Sequence, residues 1–375
     1  DLTKVLDKVK AEKATSASDK KSAEGEKAST SNKEATSAIV TPTAKKEAVL
    51  ESRTEPTAVS ESTTQSETAS TTSSSNPSDE NTSPSVVNEK PTTTRVRSRR
   101  ALSEGSVRSV DENNLQRAVV TKENFESFFQ EGGTATYDKS TGTIKLTDDV
   151  SGQVGSAYLR FKIDSGQPFT FTGKVDIGNK YEGHKVDGRP GGDGVGFVFH
   201  TGKVDTIGQS GASIGMGTIK NAFGFKLDSW HNTSNPNANQ NASADPKYSN
   251  RRINGKFEWE QNAFGSFYSS NNAGRVTTSS SAAKSLNPAP SGQWVDFKIE
   301  YDKEKNFTVT YGSQTWTTNL SKANADIITP DAKRALTTGN PTFALSFLGS
   351  TGSGTNLQRV QIERFEFTAP QIVHM

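Results

Sequence analysis

From residue 125 onward the chain is built on a two-residue alternation. The stretches "GTIKLT", "GSAYLRFKID", "PFTFTGKVDI", "GVGFVFH", "WVDFKIEYD", "NFTVTYG", "TFALSFLG" and "VQIERFEF" place apolar side chains at every second position, and clusters of Gly, Asn, Asp, Ser and Pro separate them. A period of two puts one set of side chains on one face, so each stretch reads as a half-buried strand closed by turn residues. Helical spacing is confined to "TKENFESFF" and "TPDAKRAL". Roughly a dozen strands without a fixed repeat predict an all-β, two-layer antiparallel sandwich rather than a small barrel.

Residues 1–124 carry none of this pattern and contain no Phe, Tyr or Trp. Their text is Ser, Thr, Ala, Glu and Lys, as in "STTQSETASTTSSSNPSDENTSPS". Such a segment cannot bury enough apolar surface to offset about 1–2 kcal/mol of backbone entropy per residue, which predicts disorder over residues 1–118. The folded domain is then expected over 119–369, with 370–375 beginning a linker. Within the tail the basic cluster "RVRSRR", Arg95–Arg100, fits a solvated charge run, a protease-sensitive junction or a contact with an acidic surface. The Ser/Thr richness also suits O-glycosylation.

Composition narrows the chemistry. A formal charge of +2 over 375 residues creates no whole-protein field for nucleic acid or a membrane surface. No cysteine is present and only four histidines, so any metal has to be held by oxygen. No run of about 18 apolar residues is present to span a bilayer.

Oxygen-rich candidates sit at strand ends. "NAFGFKLD" sets Phe223, Phe225 and Leu227 on one strand face and closes on Asp228. The loop that follows offers the Trp230 backbone carbonyl, the Asn232 amide and, through "NASADP", Asp245. That mixture suits a hard cation, and calcium tolerates its irregular spacing better than magnesium; the same Asx residues also serve as ordinary turn formers. It is not an EF-hand, because the loop lacks the required glycine and the terminal glutamate. A second stretch, "GRPGGDGVGFVFH", places Asp193 among glycines just before a strand, either aimed out of the sandwich rim or capping a tight turn.

In chain order, "GGDGVGFVF", "GASIGMG", "FKLDSWHN" with its later "ADP", "WVDFKIEYD" and "LGSTGSGTNLQRVQIERFEF" resemble the legume-type (L-type) lectins. More closely, they resemble the lectin modules of staphylococcal serine-rich-repeat surface adhesins. The resemblance covers residues 120–369 and implies a concanavalin-like β-sandwich (jelly roll) with no catalytic residues. It implies calcium held by Asp228, Asn232, Asp245 and the Trp230 carbonyl. It implies sugar held by Asp193, which follows a cis peptide from Gly192, and by Asn232, with backbone donors near Gly211 and in the loop of Thr351 and Gly352. The Trp230 ring would offer a stacking face. Plant members carry a glutamate and a histidine, which bind a transition metal, where this chain has Lys226 and Asn250, so a second metal is not expected.

The resemblance further implies an exported, cell-wall-anchored, monomeric module that binds glycans of host cell-surface, salivary or plasma glycoproteins, sialylated ones among them, in adhesion and biofilm. It implies neither nucleic-acid binding nor membrane insertion. Two other readings compete with this one. A glycosidase would need paired carboxylates, for which Glu258 and Glu260 in "FEWEQN" are the nearest local candidates, and the lone His200 and His231 suit packing better than proton transfer. A protein-binding module would instead capture a host peptide by strand addition, without sugar.

Overall fold

Alternation in the sequence becomes alternation in burial. A computed structural model describes residues 2, 4, 5, 107–110, 115–233, 241–247, 252–257 and 261–370. In strand β8 (Phe169–Asp176), Phe169, Phe171 and Val175 are buried while Thr170, Thr172 and Lys174 are half-buried. β8 belongs to an antiparallel sheet with β1 (Val107–Val110), β2 (Gln116–Val120), β16 (Val295–Tyr301), β17 (Asn306–Tyr311), β18 (Gln314–Asn319) and β20 (Gln358–Ala369). Its order is β1-β2-β20-β8-β16-β17-β18, and β4 (Thr136–Asp138) and β5 (Thr143–Thr147) extend it from β20.

The second sheet contains β3 (Phe129–Gly133), β6 (Val154–Leu159), β9 (Gly194–His200), β10 (Phe223–Asp228), β13 (Phe264–Ser270), β14 (Val276–Thr278) and β19 (Thr342–Ser350). They run β14-β13-β10-β9-β19-β6-β3, with β7 (Ile163–Asp164) on β19 and β15 (Lys284–Ser285) on β13. β11 (Arg252–Ile253) and β12 (Lys256–Phe257) pair separately. Both helical expectations are met, the first shortened to α1 (Phe125–Phe128) and the second shifted by one residue as α2 (Pro330–Thr337). The Thr329 hydroxyl caps α2 by accepting from the Ala332 N–H at 3.0 Å, with Pro330 opening the first turn.

Aromatic rings fill the space between the sheets. Phe197 stacks on Phe297 at 4.9 Å, Phe225 meets Trp316 edge-on at 4.9 Å, and Phe307 meets Phe199 and Phe223 at 5.3 and 5.1 Å. Each such pair adds about 0.5–1.5 kcal/mol beyond its buried area. A second apolar cluster lies on the other side of the second sheet. There Val198, Ala212, Ile214, Met216, Ile219, Ala222, Ala242, Tyr268 and Val276 pack together. Strands β9 and β10 are therefore buried on both faces, where a two-layer sandwich would leave one face wet.

Within the span 1–118, for which disorder is expected, a few residues are described. β1 and the start of β2 lie inside that span, and Leu2, Lys4 and Val5 are helical, with Leu2 buried and Val5 packed against the main core. β2 reads "QRAVV" and buries Ala118 and Val120 against β20. Because it carries no aromatic residue, a boundary drawn from aromatic content fell a few residues late. The remainder of 1–118, including Arg95–Arg100, lies outside the described residues.

β3 is an edge strand of the second sheet and carries the half-buried Glu131, whose Oε2 is buried. Burial, then the hydrogen bond and charge of Glu126, push the Glu131 carboxyl up to about 8. A raised carboxyl pKa means that the folded state holds the proton more tightly, so this stability is complete below the unfolded value and is lost as pH rises through about 8. The melting temperature should therefore decline between pH 5 and pH 9, and Glu131→Gln should flatten that decline. An unchanged slope in thermal scans of the variant would refute the assignment.

Candidate functional site

Three strands bring the candidate residues to one end of the second sheet. Gly194, first in β9, pairs with Asp228, last in β10, and with Ser350, last in β19. Asp193, the loop from Ser229 and the loop from Thr351 consequently leave the sheet side by side. Gly194 has a φ of 134°, and a Cβ there would collide with the Leu227 carbonyl, so only glycine lets β9 start against β10.

Asp193 is tied down from both neighbours. Its N–H donates to the Ser350 carbonyl at 2.8 Å, its carbonyl accepts from the Ser229 N–H at 3.2 Å, and the Ser350 hydroxyl donates to Oδ2 at 2.7 Å. The same hydroxyl accepts from the Gly211 N–H at 3.2 Å, so Ser350 joins Gly211 to Asp193. The Gly192–Asp193 peptide is cis. Ser350 was not among the sequence candidates. It is the last residue of the β19 alternation and reads there as a strand position.

Asp228, Asn232 and Asp245 also meet. The Trp230 N–H donates to Asp228 Oδ1 at 3.0 Å and the Asn232 N–H to Asp245 Oδ2 at 2.8 Å, while the Asp245 N–H returns a bond to the Asn232 carbonyl at 2.8 Å. Lys226 Nζ lies 2.8 Å from both Asp228 Oδ2 and Asp245 Oδ1, so these two oxygens are no farther apart than twice that distance. All four residues are buried, with Asp228 at 1% and Lys226 at 0% exposure. Burial pushes the Asp228 carboxyl up to about 7 against the pull of Lys226. The Lys226 ammonium is pulled down by burial, but the two carboxylates outweigh this and hold it above its ordinary value.

Two expectations about sugar contacts meet a different geometry. The Trp230 ring is buried at 4% exposure with its indole N–H unpartnered, so it presents no open stacking face. Backbone donors of the rim loops are already engaged. The Thr351 N–H donates to the Gln153 carbonyl at 2.9 Å and the Gly352 N–H to the Gly354 carbonyl at 2.8 Å. The Thr351 hydroxyl donates to the Val150 carbonyl, and the Ser151 hydroxyl to that of Gly352.

His231 and His200 are both buried against backbone groups. His231 Nε2 lies 3.3 Å from the Pro246 carbonyl, which can only accept, and His200 is buried with its Nδ1 accepting from the Gly202 N–H. Glu258, Glu260 and Asn250 lie outside the described residues. Among the described residues no group of three His, Cys, Asp or Glu side chains could hold a metal, so a calcium set here has to draw on amide and carbonyl oxygens beside its two carboxylates. A groove of about 360 Å³ lies elsewhere, between Thr121–Glu123 and Gln361–Glu363.

A second network locks the rim. Asp149 Oδ1 accepts from Lys180 Nζ at 2.7 Å and from the Thr355 hydroxyl at 2.6 Å, and Oδ2 accepts from Arg189 at 3.1 Å. Burial alone would raise the Asp149 carboxyl, but the hydrogen bonds from Lys180 and Thr355 and the two cationic charges hold it below the usual carboxylate range. Three loops, around residues 149, 180–189 and 355, are thereby fastened together.

The strand ends and their loops define a lectin-like sandwich with an oxygen-rich rim. The family profile described as "Legume lectin beta-barrel domain" matches residues 120–364, more than half of the chain, and the chain belongs to this L-type lectin family. It is 42% identical over 264 residues to the "Serine-rich adhesin for platelets" of Staphylococcus aureus, covering 68% of this chain and 10% of that protein. With the namesake from strain MRSA252 it shares 41% over 264 residues, covering 68% and 18%. The chain thus spans less than a fifth of the length of these relatives. Among solved structures it is similar to a Bauhinia forficata lectin in complex with GalNAc (13% identity, TM-score 0.43, 68% of this chain and 99% of that one). It is also similar to the Ca2+/Man-bound form of the VIP36 exoplasmic/lumenal domain (9%, TM-score 0.40, 66% and 91%). These relatives are adhesins and lectins, not enzymes. No helix among the described residues is long and apolar enough to cross a membrane.

Lys180 has 1% side-chain exposure, so removing its carboxylate partner leaves a buried charge uncompensated. Asp149→Ala should cost about 2–3 kcal/mol in denaturant titrations, less than the ~3–5 of a fully buried pair because water reaches Asp149. Adding Lys180→Met should recover part of that loss. A double variant as unstable as the sum of both single variants would show that the pair is not coupled.

Proposed function

We propose that this module is a calcium-dependent carbohydrate-binding unit of an adhesin that attaches a Gram-positive bacterium to host glycoproteins. The observation that carries the reading is the convergence of Asp193, Asp228, Asn232 and Asp245 at neighbouring strand ends. Two buried carboxylates, Asp228 and Asp245, face the one buried ammonium of Lys226 and outnumber it, and the buried Asp193 carboxylate lies at the adjoining strand end. An uncompensated buried charge is costly, so the donor set fits a hard cation with oxygen ligands.

A bound calcium ion would supply a fixed positive charge to the side chains of Asp228, Asn232 and Asp245 and to the Trp230 carbonyl. The remaining work belongs to the chain. Asp228 and Asp245 hold the Trp230 and Asn232 N–H groups and so fix the loop from which the Asn232 amide reaches out. Asp193, oriented by Ser350, accepts hydrogen bonds from sugar hydroxyls. Gly211 and the Thr351–Gly352 loop flank the sugar. Surface display, wall anchoring and a glycoprotein partner accord with relatives named as adhesins for platelets.

Calcium should raise the melting temperature, since an ion binding only the native state adds about 2.7 kcal/mol at a hundredfold excess over its Kd. Asp228→Ala should abolish that shift, and an unchanged wild-type melting temperature in chelator would sink the calcium assignment.

Asp193→Ala should lose glycan-array binding while keeping the calcium shift. Each charge-assisted bond lost is worth about 1.5–3 kcal/mol, roughly a tenfold to hundredfold loss of affinity. Retained capture of deglycosylated host protein by Asp193→Ala would instead favour peptide capture by strand addition.

A further inference from the structure

A lysine stands inside the candidate calcium cluster, on the strand side of both carboxylates. Lys226 is at the middle of β10, on the face opposite Phe225 and Leu227, and is completely buried. Its Nζ is 2.8 Å from Asp228 Oδ2 and 2.8 Å from Asp245 Oδ1. Phe264 and Tyr268, on the neighbouring β13, flank Ser266, which pairs with Lys226, and their rings lie 5.3 and 5.8 Å from Nζ. The Tyr268 hydroxyl is held in turn by the Ile214 carbonyl of the covering loop. Two carboxylates and two ring faces thus enclose the ammonium, a complete cation site whose cation is part of the chain.

The remaining oxygens of the same carboxylates face the other way. Asp228 Oδ1 and Asp245 Oδ2 take the N–H groups of Trp230 and Asn232, on the loop side where the calcium ligands lie. We propose that Lys226 is a resident cation that keeps Asp228 and Asp245 clamped together before calcium arrives and leaves the cluster room for one divalent ion. This inference rests on the calcium reading above and assigns Lys226 a positioning role. Without the ammonium, two buried carboxylates would face each other unscreened in the ion-free protein, and the loop between Asp228 and Asp245 would lose its anchor. With calcium bound, part of that repulsion is already neutralised. The two cations are therefore partly redundant, and by linkage removal of one tightens binding of the other.

The test compares the whole chain with and without calcium. Wild type should titrate to one calcium per chain. Lys226→Met should lower the melting temperature in chelator by about 10 °C, the loss expected for breaking a buried ion pair in a domain of this size, and by less than half of that in saturating calcium. Its calcium affinity should rise at least about tenfold, the reciprocal of that difference. Hydrogen exchange in chelator should show the Trp230, Asn232 and Asp245 amides losing protection in the variant and regaining it with calcium. If Lys226→Met folds in neither condition, Lys226→Gln, neutral but able to donate to both carboxylates, is measured the same way. Equal losses with and without calcium would reduce Lys226 to a packing residue and overturn the inference, as would two ions per wild-type chain. No calcium binding by wild type would sink the calcium reading and this inference with it, an outcome distinct from one ion with equal losses.

Discussion

Burial of β9 and β10 on both faces is the constraint from which the rim follows. A strand with one wet face can carry any polar residue there, but a strand covered on both sides can carry only polar groups that are paired. Gly224, Lys226 and Asp228 occupy the second face of β10, beneath the cluster built from Ala212, Ile214, Met216 and Ile219. Lys226 and Asp228 are tolerated there because Lys226 pairs with both Asp228 and Asp245, so the segment bearing Asp245 has to return to the sheet. It does so through the Ala242 bridge to Val276 and the Ser243 N–H bond to the Val276 carbonyl. The long polar loop is closed at its base by electrostatics that the covering layer makes obligatory.

Register supplies the other half. Because Gly194 sits opposite both Asp228 and Ser350, the aspartate before it cannot leave that row of strand ends. Ser350 then fastens it by backbone and side chain together, and Asp149 fastens the loops around it through Lys180, Arg189 and Thr355. A rim held in this way has little ordering entropy left to lose on binding. Its backbone donors at Thr351 and Gly352 are likewise consumed within the rim, by the Gln153 and Gly354 carbonyls.

The strands, the sandwich and the grouping of acidic residues at strand ends were legible because a period of two survives in the text from Thr143 to Phe367. What stayed illegible has a common physical origin. In "FKLD", Lys226 occupies the polar slot of an alternating strand, and local pattern assigns such a slot to water. The layer that buries it comes from apolar residues scattered over 212–222 without a regular period, so nothing in the strand itself announces the cover. Ser350 closes a strand as ordinary serines do, and the bond that makes it matter reaches across 157 residues to Asp193. The inward Trp230 ring has the same cause, since exposure of a ring at a loop is decided by what packs over it. β2 escaped for a simpler reason, because Ala118 and Val120 bury well without being aromatic.

The alternation of β10 also separates what keeps the module folded from what the rim does. Phe223, Phe225 and Leu227 face the aromatic interior, where they join a cluster spanning both sheets and owe nothing to charge. One residue along, Lys226 and Asp228 face the covering loops and depend on charge almost entirely. The charged pairs therefore hold the loop layer and the row of strand ends, while the aromatic interior lies on the other side of the same backbone. Neither face can shift register alone, because a slip of one residue would send phenylalanines into the charged cluster and the ion pair into the aromatic core. The same pleat that stabilises the sandwich thus fixes the position of its charged rim.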